Sequence, residues 1–212
     1  VPREAGRRVD GVRDRRRGLA DRVARRGFTS ATVMLTATHT HAGPGALAAM
    51  PLFRPMTGPF DRARFDEVVA KIARAIERAD DALAPATLRL GATRVPGLQR
   101  NRETEGGPVD DRLRVLCVDG PDGRVRGIVV HFAAHPTILP ASNRKLSAEW
   151  PGATCDALEA RYAGATAMLL QGPLGDVAPA GVEGDGFDAM TAYGRRIADH
   201  ALDAIDDAQA LP

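Results

Sequence analysis

The stretch RLRVLCVDGPDGRVRGIVVHFAAHPT, Arg112 to Thr137, decides how the rest of the chain is read. Residues 112–118 are apolar and β-branched, and so are residues 124–133. Between them Gly120-Pro121-Asp122-Gly123 is a turn, so the stretch predicts two consecutive strands. The second strand gives out at His135, because Pro136 forces the preceding residue into an extended or turn conformation. Working outward, residues 86–95 predict another strand and residues 165–170 a short buried one. The glycine-rich bend from Gln171 to Gly186 separates that strand from a helix over 187–208.

On the N-terminal side, Asp61 has the character of an N-cap. Phe65, Val68, Val69, Ile72 and Ile76 follow at helical spacing, and the helix is expected to stop before Pro85. Residues 151–162 predict a helix opening with Pro151 in its first turn. Residues 31–38, ATVMLTAT, predict a strand buried on both faces. Residues 43–60 and 136–147 read as loops. Residues 3–26 read as an amphipathic, arginine-rich helix with a solvated basic face. The expectation is an α/β fold, a mixed sheet flanked by helices with the site at the strand C-terminal ends. It forms one domain over residues 1–212, incomplete at both ends.

The chain has 212 residues, a formal net charge of +2 and 26% charged residues, a balance that gives no reason to expect nucleic acid as a partner. No apolar run reaches the length of a membrane span. Cys117 and Cys155 lack metal-ligand spacing and read as buried free thiols.

Two of the five histidines stand one residue apart in Thr38-His39-Thr40-His41, immediately before Ala42-Gly43-Pro44-Gly45. On an extended segment residues i and i+2 point to one side. Gly43 and its neighbours let the backbone turn away and leave the rings accessible. If the sheet is mostly parallel, strand C-termini gather at one edge, where His39, His41 and His135 would meet. Zn²⁺ takes imidazole readily and often keeps a position open for water. His131 lies inside a strand pattern and reads as structural, and His200 as surface. Arg102, after Asn101, is placed to hold a carbonyl or carboxylate oxygen. Gly172, Gly175 and Asp176 offer close backbone approach and one carboxylate. Glu149 has three readings: support of an imidazole, acid or base, or helix capping.

In order, THTHAGPG, Asn101-Arg102, HFAAHPT, SAEWPG and QGPLGDVAP resemble the motifs of the neutral/alkaline (non-lysosomal) ceramidase family, in its catalytic N-terminal domain. The resemblance runs from about Ala31 to His200. It implies a zinc-dependent hydrolase that cleaves the N-acyl bond of a ceramide-like lipid. It assigns His39 and His135 to the metal, and His41 and Arg102 to the scissile carbonyl. On the same loops Asp176 is expected to take part in catalysis, and Gly43, Asn101, Gly175 and Ala178 to border the substrate.

Two departures stand out. The family's serine in GDVSP is Ala178 here, so the rival expectation is a non-catalytic binding module of the same fold. The family's further zinc ligands, a glutamate and a tyrosine, have no counterpart in this chain. A lipid amide is the implied partner, with room for peripheral membrane contact and no indication of oligomeric state. Localisation stays open, since only the family points to secretion or the cell surface. A barrel-type amidohydrolase is a third reading, disfavoured by the length of this chain and its few strand–helix repeats.

Overall fold

The computed structural model describes residues 23–29 and 31–211. Most of the helix expected over residues 3–26 lies outside the described residues. The chain divides into two compact units, one of residues 1–35 and 44–83, the other of residues 36–43 and 84–212.

In the first unit the principal element is helix α1, Arg62–Asp81. Asp61 caps it as expected, its carboxylate accepting from the Arg64 N–H at 3.1 Å. Arg26 forms ion pairs with Asp80, at 2.9 Å, and with Asp81 at the other end of the helix. Residues 43–60 are not wholly irregular. They hold a 3₁₀ turn, Pro51–Phe53, and one helical turn, Arg54–Thr57.

The second unit is built on strands β1 (Thr87–Arg94), β3 (Arg112–Asp119), β4 (Val125–Phe132), β5 (Thr166–Gln171) and β7 (Gln209–Ala210). A separate ribbon pairs β2 (Gln99–Asn101) with β6 (Val177–Pro179). The sheet order is β5-β4-β3-β1-β7. β4 and β5 run parallel, whereas β1–β3, β3–β4 and β1–β7 are antiparallel. The sheet is therefore mixed, as expected, but mostly antiparallel rather than mostly parallel. The Arg112–Phe132 hairpin is present, with Val115 opposite Val130 and Cys117 opposite Ile128.

Leu113, Val115, Cys117, Ile128, Val130 and Phe132 alternate onto one buried face. Helices α2 (Glu149–Arg161) and α3 (Gly186–Asp206) pack on the sheet, α2 against β5 and α3 against β1 and β3. Gly91 permits the closest approach: a Cβ there would lie 1.9 Å from the Ala204 carbonyl oxygen on α3. Between the helices, Trp150 sits fully buried with its ring edge-on to Phe132 and Tyr193, at 6.0 and 5.7 Å. Cys117 and Cys155 are free thiols, the first buried and the second half-buried.

The strand expected over residues 31–38 does not form. Thr32 and Val33 donate back to Thr29 in a turn, and Met34 and Leu35 are exposed. An apolar, β-branched run becomes a strand only where a neighbour completes its ladder. No described segment pairs with this one. Helix α2 also starts at Glu149 rather than Pro151, which places the proline within the first turn.

Candidate metal centre

His135 follows the tip of β4 and is 4% exposed. Its backbone N–H donates to the Val177 carbonyl at 3.0 Å, and its Nδ1 lies 3.1 Å from the same oxygen. A carbonyl only accepts, so Nδ1 carries the proton and Nε2 keeps its lone pair for a ligand. Val177 opens β6, so the β2–β6 ribbon sets the ring's orientation.

His39 and His41 come from a loop rather than a strand tip. The His39 backbone is left-handed, with φ of 63°, a region that costs energy for a residue with a Cβ. This turn, not an extended i, i+2 geometry, brings both rings to His135. Ring centroids lie 5.1 Å apart for His39–His41, 5.1 Å for His39–His135 and 5.7 Å for His41–His135. One ligand atom from each of the three falls within 4.8 Å of the others. Donors this close around a common point fit a single imidazole-loving divalent ion such as Zn²⁺. Burial, then the neighbouring His39, His135 and Arg102, hold the His41 pKa below its ordinary value, so its ring favours the neutral form.

Arg102 follows β2. Its Nε and Nη2 donate to the Gly175 carbonyl at 3.0 and 2.7 Å, and its charge reaches His41. Asn101 and Asp176 bind one another, Nδ2 to Oδ2 at 2.9 Å, across the β2–β6 ribbon. The Asn101 oxygen also accepts from the N–H groups of Glu103 and Thr104. These two side chains brace the loop that presents Arg102. Gly43 lies in the loop after His41, where a Cβ would meet the Thr40 methyl at 3.4 Å. Gly175 has open space beside it, and Ala178 is buried within β6.

His131 stays on β4 away from the cluster, its Nδ1 3.5 Å from Arg114. His200 sits on α3, 4.0 Å from Asp203. Glu149 touches no imidazole. Its carboxylate accepts from the N–H groups of Leu139, at 2.6 Å, and Trp150, at 2.8 Å. A cavity of about 250 Å³ opens beside His41, walled by Pro136, Leu139, Pro140 and Glu149. The residues that organise the cluster, Thr40, Ser147, Trp150 and Val177, all lie within the motifs THTHAGPG, SAEWPG and QGPLGDVAP, but their bracing role is not legible there, because it consists of hydrogen bonds to backbone groups far away in sequence.

The fold and the cluster define an α/β protein with a three-imidazole candidate metal centre at the tip of β4. The chain belongs to the neutral/alkaline non-lysosomal ceramidase family: the family's N-terminal sequence model matches residues 14–185. It is similar to the neutral ceramidase of Pseudomonas aeruginosa, with 29% identity over 162 residues, 69% of this chain and 24% of that protein. The neutral ceramidase of Mycobacterium tuberculosis is 28% identical over 138 residues, 59% of this chain and 22% of that protein. A crystal structure of the Pseudomonas aeruginosa neutral ceramidase matches with a TM-score of 0.79 at 25% identity. That match covers 89% of this chain and 34% of the other. The chain thus spans about a quarter of the length of these curated relatives.

Proposed function

We propose that this chain carries part of the site of a zinc-dependent hydrolase that cleaves the N-acyl bond of a ceramide-like lipid. The observation that carries the reading is the convergence of His39, His41 and His135. His39 and His135 would hold the ion, the second through the Nε2 that its bond to Val177 leaves bare. Zinc supplies Lewis acidity and an activated water near neutral pH. His41, neutral near pH 7, and Arg102 face the reacting carbonyl oxygen and stabilise the charge that develops there. Asp176 and Asn101 hold the Arg102 loop in place. Gly43, Gly175 and Ala178 border the substrate without adding bulk.

Ala178 favours a second reading, a non-catalytic binding module, because a methyl group supplies neither nucleophile nor hydrogen bond. Turnover of short-chain fluorogenic N-acyl substrates with added zinc separates the two. The hydrolase reading expects turnover in the wild type, and loss of both zinc and turnover in His39→Ala. In His41→Ala turnover falls on the order of 10²–10³-fold with zinc retained. A His39→Ala variant with full zinc content and full turnover would refute the assignment, and a wild type that binds zinc without turnover supports the module.

A further inference from the structure

The two histidine-bearing segments are far apart in sequence, yet one short segment touches both. Ser147–Trp150 binds the His39–His41 loop through two bonds. The Thr40 hydroxyl donates to the Ser147 carbonyl at 2.9 Å, and the Ser147 N–H donates to the Ala42 carbonyl at 3.0 Å. It binds the His135 segment through two more. The Trp150 indole N–H donates to the His135 carbonyl at 3.3 Å, and the Glu149 carboxylate accepts from Leu139. The segment is itself braced: the Glu149 N–H donates to the Ser147 hydroxyl at 2.9 Å.

Its backbone is also unusual. Glu149 is 1% exposed and has a φ of 60°, left-handed like that of His39. Left-handed non-glycine residues persist where the surroundings over-determine them. Here one such residue, Glu149, lies within the strap and the other, His39, lies in the loop that the strap binds.

Thr40 is the side chain on which the strap's hold on the loop turns. Its hydroxyl donates to Ser147 and also accepts from the Ala42 N–H at 3.2 Å. It stands between the two histidines, with its methyl group turned towards Gly43. Removing the hydroxyl leaves the Ser147 carbonyl and the Ala42 N–H without that partner, and frees the left-handed turn at His39 to relax.

We infer that Thr40, gripped by the Ser147–Trp150 strap, is a positioning residue that holds the His39–His41 loop against His135, so that His39 and His135 keep the spacing a metal ion requires. The inference rests on the zinc reading of the cluster. It makes the distance between two rings from a loop and one from the core depend on a single hydroxyl.

The test compares zinc affinity, by competition with a chromophoric chelator, in the full chain and in Thr40→Val, Thr40→Ala and Thr40→Ser. Thermal unfolding without zinc is followed alongside. Valine and alanine are expected to weaken zinc binding about 10–100-fold, the range typical when a partner that orients a metal ligand is lost. Serine keeps the hydroxyl and restores affinity to near the wild type. Apo unfolding stays close to the wild type in all three, which a merely structural role would not give. Alanine adds no bulk, so it carries the test should the valine variant fail to fold. Equal affinity in wild type and the hydroxyl-free variants overturns the inference alone. A wild type that binds no zinc overturns the reading of the cluster and this inference with it.

Discussion

His135 and the His39–His41 loop supply the same chemical group to one cluster by opposite means. His135 is 4% exposed at the end of a core strand, with its N–H and its Nδ1 both on the Val177 carbonyl. His39 and His41 are exposed, and their loop is held by a left-handed residue and the Thr40–Ser147–Ala42 bonds. The first arrangement is over-determined by packing. The second depends on a few bonds with little apolar burial behind them. Core-side changes should therefore read out as stability, and loop-side changes as metal affinity.

The sharpest way to break this contrast is on the core side. Trp150→Phe removes an indole that fills the space between Phe132 and Tyr193 and that donates to His135. A cavity, together with the loss of one of the hydrogen bonds on a carbonyl that keeps the Thr137 N–H as donor, should cost about 2–3 kcal/mol in urea unfolding. Zinc affinity should change far less than the 10–100-fold expected at Thr40, because Val177 still orients the ring. A collapse of affinity with stability intact would reverse the assignment of roles.

A smaller effect is expected at Glu149→Gln. The carboxylate serves Leu139 with one oxygen and Trp150 with the other, and an amide has only one oxygen to offer. Leaving a buried N–H unpaired should cost about 1–2 kcal/mol near pH 5. Burial raises the Glu149 pKa above the ordinary carboxylate value, against the backbone N–H groups that lower it. For a raised carboxylate, its contribution is complete below the unfolded pKa of about 4.3 and is lost as pH rises through the folded value. The gap between wild type and Glu149→Gln should therefore narrow as pH rises above the unfolded pKa of about 4.3. A gap that widens would mean that the two N–H bonds outweigh desolvation.

The smallest effect is expected on the loop side, at Gly43→Ala. A Cβ there meets the Thr40 methyl at an ordinary 3.4 Å, so stability should stay within about 0.5 kcal/mol of the wild type. A raised KM with unchanged stability would show that this position borders substrate.

Much of the secondary structure in both units was legible because its signals are local. The Arg112–Phe132 hairpin announces itself by two apolar runs around Gly-Pro-Asp-Gly, and α1 by an Asp61 cap and a helical stripe. Residues 31–38 carried a comparable apolar signal and formed no strand, since pairing is settled by neighbours far away in sequence. The β2–β6 ribbon went unseen because three-residue strands show too few alternations to detect. That ribbon nevertheless orients His135 through Val177 and presents Arg102.

Residue identity alone determined which groups are available: five imidazoles, an arginine after an asparagine, an alanine at position 178. Identity and order also sufficed to place the chain in its family. Which three imidazoles meet, and which ring nitrogen is left bare, was decided only in three dimensions. The reason is physical: a metal centre is a set of distances, and these are set by hydrogen bonds between segments about 100 residues apart, such as Thr40 and Ser147, separated by 107. No window of sequence contains both ends of such a bond.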